Sequence, residues 1–249
     1  MMTFDGMRLY SPVLRVNNRD ENIAFYEKNL GFKLISEENA LAFFSDWTGS
    51  GSQFVIEESP AYRTRAVEGK KKLNQIILKT SQPQDIAALL AQGAKASKLF
   101  KGSKGYAFET LSPENDRFLL HAEDDLSSLV EVDCFEGQVR EGFTGLSDFI
   151  VDQISLNVAD LKASQDFYRL FEGLPVHLLF VAAEGPDLAV EPHVTWDIEL
   201  IEFRVPADYD LASLKVYLEA QGQDVYLDHK EKVLAVSDPS RIEVWFSKE

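Results

Sequence analysis

Apolar and polar residues alternate over short runs along most of this chain, and the runs are separated by segments with helical spacing. In "VLRVNNRDENIAFYEKNLGFKL" the alternation puts Leu14 and Val16 on one strand face and Ser11, Val13 and Arg15 on the other. A polar break from Asn17 to Asp20 suits a helix start, and Ile23, Tyr26 and Leu30 then share one helical face before Gly31. The phrase returns as "SLNVADLKASQDFYRLFEGLPV". Leu14, Val16, Phe25, Tyr26 and Gly31 recur 142 residues later as Leu156, Val158, Phe167, Tyr168 and Gly173. Such spacing marks a duplicated unit.

Weaker copies follow within each half. "LNQIILKTSQPQDIAALLAQGA" and "ELIEFRVPADYDLASLKVYLEAQGQ" each read as strand, break and helix, ending at Gly93 and Gly222, with Pro83 and Pro206 near the helix starts. Strand-like runs come after the helices: "AFFSDW" and "QFVIEE", "GYAFET" and "DRFLLHAE", "KVLAVS" and "RIEVWFS". The unit is therefore strand, helix and about three strands. The third unit is degraded: "VHLLFVAAEGPDLAVEPHVTW" has room for two strands and carries Pro186 and Pro192, which interrupt a ladder. The pattern predicts an α+β protein of paired βαβββ units forming two domains with mixed sheets.

Length and charge refine this. At 249 residues the chain exceeds one compact domain, and the patterning divides it into residues 1–124, an acidic, glycine-dotted linker 125–149, and residues 150–249. Residues 1–125 hold 17 acids and 16 bases, whereas residues 126–249 hold 24 acids and 9 bases, so nearly all of the net charge of −16 lies in the second half. That field repels nucleic acid and anionic membranes. Ten Lys or Arg lie between Tyr62 and Lys104, a candidate surface for an anion or for the acidic half of a second copy in a homodimer. The N-terminal stretch lacks a secretory leader and no segment has the uninterrupted apolar length of a membrane span, which predicts a cytoplasmic location, or an extracellular one by an unrecognised route. Cys134 sits among Glu131, Asp133 and Glu136, surroundings that disfavour a thiolate.

Four βαβββ units in two pairs resemble the vicinal oxygen chelate (glyoxalase/bleomycin-resistance/dioxygenase) superfamily, through "LRVNNRDENIAFYEKNLGFKL", "LNVADLKASQDFYRLFEGLPV", and the turn-and-strand phrases "SPENDRFLL" and "DPSRIEVWF". The chain is also similar, in its two-domain layout, to the CppA family of Gram-positive cocci, whose name designates a complement-degrading proteinase. The first resemblance implies paired units curled into cups; the second implies action on complement component three.

Superfamily members that bind metal place His or Gln on the first strand of a unit and Glu on the last. If consecutive units pair, those places read Ser11, Glu57, Gln75 and Leu119 in the first cup, with His121 nearby, and Gln153, Leu200 and Glu243 in the second. Both sets are incomplete for a divalent ion, so no metal and no cofactor is expected. The second cup is further expected to present Ser155, Asn157, Glu202, Arg204, Arg241 and Trp245, groups suited to a small polar ligand or to a self-neutralising lattice. An acidic interaction scaffold is the third possibility.

Peptide hydrolysis has no motif here. "GLSDF" lacks the second glycine of a Gly-x-Ser-x-Gly elbow, no His-Glu-x-x-His surrounds His121, His177, His193 or His229, and Trp47 separates Asp46 from Thr48 in "DWTGSG". His177 reads as a core residue. His193 is the candidate functional histidine, on a loop that could lean toward the second cup.

Overall fold

The computed structural model describes residues 4, 6–49, 51, 53–171 and 173–249. Residues 1–3 and 5 of the stretch read for a leader, and Ser50 of "DWTGSG", lie outside the described residues.

The first unit consists of β1 (Arg8–Val16), α1 (Arg19–Leu30), β2 (Lys33–Glu38), β3 (Leu41–Ser45) and β4 (Phe54–Glu58). The second has β5 (Leu73–Lys79), α2 (Pro83–Ala91), β6 (Lys98–Lys101), β7 (Tyr106–Leu111) and β8 (Arg117–His121), and the two-residue β9 (Val130–Glu131) follows it. The third has only β10 (Ile150–Val158), α3 (Leu161–Tyr168) and β11 (His177–Ala182). The fourth runs β12 (Ile198–Val205), α4 (Leu211–Ala220), β13 (Val225–Leu227), β14 (Val233–Ser237) and β15 (Glu243–Lys248). One strand, not two, follows α3. The residues around Pro186 and Pro192 instead form turns and a single bridge between Thr195 and Arg65.

Local chemistry explains the helix ends. Asn18, Asp160 and Asp210 each accept a backbone N–H from three residues ahead, satisfying a donor that the helix leaves unpaired. Pro83 opens α2 at a position where its missing N–H costs nothing, whereas Pro206 lies in the turn before α4. Gly31 ends α1 at φ 67°, a left-handed conformation that disfavours any side chain with a Cβ.

The strands form two open mixed sheets. The first runs β13-β14-β15-β12-β1-β4-β3-β2 and the second β11-β10-β5-β8-β7-β6-β9. Unit one therefore pairs with unit four, and unit two with unit three, which corrects the expectation that consecutive units share a cup. Each sheet draws strands from both halves of the chain, joined by the antiparallel pairs β1–β12 and β10–β5.

The two junctions are registered alike. Ser11 faces Glu202, Val13 faces Leu200 and Leu14 faces Ile198 in the first; Gln153 faces Ile77, Ser155 faces Gln75 and Leu156 faces Leu73 in the second. Both carry an irregularity after the first of these pairs' preceding residue (Leu9/Ser11; Val151/Gln153) and another at Val13/Leu14 or Ser155/Leu156. The 142-residue repeat is thus kept to the level of individual β-bulges.

One contiguous core joins an inner face of both sheets to the helices, with Leu14, Tyr26, Phe44, Phe118, Ile154, Ile201 and Phe246 fully buried. Phe32 stacks on Phe149 at 4.2 Å between ring centroids, bringing the end of the acidic linker into the core. The opposite face of the first sheet holds a separate small cluster, Val13, Val55 and Leu200, against which Leu41, Phe43 and Trp245 pack. This second face forms the candidate site.

The fully buried Asp197 carboxylate accepts the N–H groups of Lys72 (2.6 Å), Leu73 (3.0 Å) and Ile198 (2.8 Å). Burial raises its pKa, with Lys71 opposing. Its carbonyl accepts the Arg15 N–H at 2.9 Å, as the Lys72 carbonyl accepts that of Asn157 at 2.7 Å. These bonds tie the start of β5 to the bulge of β12 and set Arg15 and Asn157 at matched positions on the two open faces. Lys71 pairs with the buried Asp116, and the buried Lys72 ammonium donates to the Val190 carbonyl at 2.5 Å. The half-exposed Arg65 guanidinium pairs with the buried Asp187 at 2.6 Å, so three of the ten basic groups between Tyr62 and Lys104 are engaged by partners within the chain.

Candidate functional site

On the open face of the first sheet, Val55, Val13, Leu200 and Glu243 lie level across four neighbouring strands. Three apolar side chains thus occupy the floor, and strand alternation sends Arg15 and Glu57 to one end of it and Ser11, Glu202 and Trp245 to the other.

At the first end, Arg15, only 8% exposed, reaches both Glu57 (3.2 Å) and Glu199 (2.5 Å). One guanidinium between two carboxylates leaves a net negative charge in a partly buried cluster, and protonating one acid relieves it. The Glu199 carboxyl is pushed up to about 7, first by burial and then by Glu57, with Arg15 opposing. Its Oε2 is buried with no hydrogen-bond partner. This places a carboxyl that exchanges a proton near neutrality beside an apolar floor.

At the other end, Glu202 accepts from Arg204 (3.1 Å) and from the Ser247 hydroxyl. The Arg204 guanidinium lies 4.1 Å from the Tyr10 ring centroid, a cation–π contact. Glu243 accepts the Trp245 indole N–H at 2.6 Å and also lines a cleft of about 400 Å³ with Asp224, Tyr226, Ala235 and Ser237.

The second sheet presents neutral groups at the positions matched to Arg15, Glu199, Leu200 and Glu202, whereas Lys79 stands at the place of Arg204 and pairs with Asp124 at 3.1 Å. Asn157 stands for Arg15 and donates to the Lys71 carbonyl at 2.9 Å; Asn74 donates to Ser155 Oγ at 3.0 Å; Gln75 donates to Glu109 at 3.2 Å. Gln153 lies level with Ile77 on one side and His177 on the other.

The pairing of the units regroups the expected site residues. Glu57, Arg204 and Glu243 share the first sheet with Ser11, Leu200, Glu202 and Trp245; Gln75, Gln153 and His121 share the second with Leu119, Ser155 and Asn157. Arg241 does not join the open face. It sits at φ 66° in the turn before β15, which breaks the alternation, and pairs with Glu191 at 3.7 Å. His177 is exposed rather than in the core, because β11 is an edge strand without the outer neighbours a complete unit supplies. His193 lies on an exposed turn of the segment that bridges to Arg65. His121 is buried, its Nδ1 accepting the Glu123 N–H at 3.1 Å and its Nε2 3.8 Å from Asp152; burial lowers its pKa. Cys134 is exposed and free.

The donors do not fit a divalent ion. In the first sheet the level positions are Val55, Val13, Leu200 and Glu243, one oxygen donor among three hydrocarbons, and Glu57 is committed to Arg15 two residues farther along β4. No group of three or more His, Cys, Asp or Glu side chains able to hold a metal occurs among the described residues.

Sequence reasoning missed Glu199. Strict alternation places Leu200, Glu202 and Arg204 on the open face and Glu199 opposite, but the bulge between Val13 and Leu14 turns Glu199 toward Arg15. The signal is that Glu199 and Glu202 are three apart in an apolar strand, so both can face outward only across a bulge.

Two open mixed sheets of this kind define a vicinal oxygen chelate fold. A glyoxalase I structure from Zea mays matches with TM-score 0.58 and 14% identity over 98% of this chain and 92% of that one. More specifically, residues 9–132 match the CppA N-terminal family and residues 146–246 the CppA C-terminal family, and a cppA protein structure from Streptococcus pneumoniae TIGR4 is 37% identical, with TM-score 0.85, over 96% of this chain and 98% of that chain. The chain belongs to the CppA family. No curated protein matches it at the same stringency.

Proposed function

We propose that this chain binds a small organic molecule on the open face of the first sheet without a metal, and that Glu199 exchanges a proton with the bound molecule. The supporting observation is the apolar floor of Val13, Val55 and Leu200 set between the Arg15–Glu57–Glu199 cluster and the Glu202–Arg204 pair. A ligand with an apolar body and polar ends matches that order of surfaces. The indole of Trp245, packed against the floor, gives the readout. Titrating a library of small carboxylic and hydroxylated compounds against tryptophan fluorescence, with Trp245→Phe as the control that separates its signal from those of Trp47 and Trp196, is expected to yield a ligand whose affinity falls at least tenfold in Arg204→Ala and becomes independent of pH between 6 and 8 in Glu199→Gln. A library without such a ligand contradicts the reading.

CppA membership supports a second reading, a proteinase acting on complement component three. Purified protein incubated with that component, beside His193→Ala and Glu243→Gln variants, tests it. Cleavage lost in either variant supports the reading, and cleavage unchanged in both assigns the activity to a contaminant.

A further inference from the structure

The sheets have four outer strands, and three are protected against further pairing. β9 has two residues, β13 has three, and β2 carries Lys33, Glu37 and Glu38. The fourth, β11, is a six-residue strand without an Asp, Glu, Lys or Arg, and its outward-facing Leu179 and Val181 are 49% and 38% exposed.

The internal repeat shows what such an edge is built to meet. Val13 pairs with Val55 on β4, and its counterpart Ser155 pairs with Leu179, so β11 is the equivalent of β4. In the first unit the outer edge of β4 is covered by antiparallel β3, with Phe43 facing Val55 and Leu41 facing Glu57. β3 gives Ala42 and Phe44 to the core face and Leu41 and Phe43 to the open face. The third unit has no such strand among the described residues. Where one would lie is a groove of about 740 Å³ between α3 and β11, lined by Tyr168, Phe171, Leu174, Leu178 and Phe180.

We infer that the edge of β11 is a self-association site, where a second copy of this chain lays its own β11 antiparallel and takes the role that β3 plays beside β4. The match is chemical as well as directional. β11 offers Leu178 and Phe180 to the core face and Leu179 and Val181 to the open face, the same alternation as Ala42/Phe44 and Leu41/Phe43. A two-fold axis perpendicular to the sheet makes the strands antiparallel and keeps each face on its own side. Pairing of even register sets Leu179 near Leu179 and Phe180 near Leu178, with no charge buried. It also brings the exposed Glu184 of each copy, just past the end of β11, toward the exposed Arg169 at the mouth of the other's groove, where Lys162 and Arg169 share the one carboxylate of Asp166 and leave an excess positive charge. The charges at the rim are complementary although the chain as a whole is acidic.

Sedimentation equilibrium of the full chain from about 1 to 100 μM, at 0.15 M salt, tests this. The unsubstituted chain is expected to dimerise within that range, and Val181→Lys, which places an ammonium on the edge without touching the core face, is expected to weaken dimerisation at least tenfold. Its thermal midpoint at 1 μM, where the chain is monomeric, should equal that of the unsubstituted chain, and Tyr226→Lys on the β13 edge should leave dimerisation unchanged. A chain monomeric at 100 μM, or a dimer that Val181→Lys leaves intact, overturns the inference. So does tight binding of the peptide KLISEENALAFFS, the β2–β3 segment, to a chain that stays monomeric, since that assigns the groove to a foreign strand.

Discussion

The two open faces share one geometry and differ in chemistry. Strand junctions, bulges and backbone bonds of β1–β12 are repeated in β10–β5, yet the pair Arg15 and Glu199 of the first face is replaced by Asn157 and Asn74 in the second. Leu200 becomes Gln75, Glu202 becomes Ile77, and Trp245 becomes Leu119. Main-chain register constrains where a side chain points and leaves open what it is, so duplication preserved the scaffold while the charges diverged. The first face concentrates ionisable groups around a hydrocarbon floor. The second engages the amides of Asn157, Asn74 and Gln75 within the chain and lies beside a unit with one strand after its helix.

The largest effect expected from breaking this contrast is at its charged centre. Arg15→Ala leaves Glu57 and Glu199 facing each other without a counter-ion and should cost about 3–5 kcal/mol in urea unfolding at pH 8, against about 1–2 kcal/mol for Asn157→Ala, which loses only a neutral hydrogen bond. Equal costs would remove the distinction between the faces.

Next is the pH dependence. Glu199 holds its proton up to about 7 when folded and releases it near 4.5, the ordinary glutamate value, when unfolded. Between those values the folded state binds more protons than the unfolded one, so this group's contribution is fully present below pH 4.5 and is lost as pH rises through 7. Asp238, pushed up to about 6 by burial, adds a loss of the same sign at lower pH. Glu199→Gln should therefore gain roughly 1–3 kcal/mol on the unsubstituted chain between pH 5 and 8, while Asn74→Ala should shift stability equally at both pH values.

The smallest expected difference concerns the matched tyrosines of α1 and α3. Tyr168 donates to the buried Asp238 at 3.1 Å, whereas the buried Tyr26 hydroxyl has no hydrogen-bond partner, and its pKa is raised first by burial and then by the charges of Asp116 and Glu114. Tyr168→Phe should lower the unfolding free energy by about 1–2 kcal/mol and Tyr26→Phe by less than about 0.5 kcal/mol. The reverse order in paired denaturation curves would show that the two helix–turn contacts are not organised as described.

Much of the fold was legible in the sequence, because its signals are local. Asn18 and Asp160 cap helices at the ends of repeated strands, and Tyr26 and Tyr168 fall on the buried faces of repeated helices. The partnership of units was not legible, since β1 presents the same alternating edge whether β5 or β12 lies beside it, and the structure pairs it with β12. The placement of Glu57, Arg204 and Glu243 on the open face was legible, because they follow regular alternation. Placement was hidden where alternation fails: at Glu199, turned by a bulge, at Arg241, turned by a positive φ, and at His177, left exposed by strands the third unit does not form.

The claim that the first face is poised for proton exchange is tested most directly by following the Glu199 side-chain carboxyl by carbon-13 NMR from pH 4 to 9. The structure predicts a midpoint near 7 that falls toward the ordinary glutamate range in Glu57→Gln, where the neighbouring negative charge is gone. A midpoint close to 4.5 in the unsubstituted chain would contradict it.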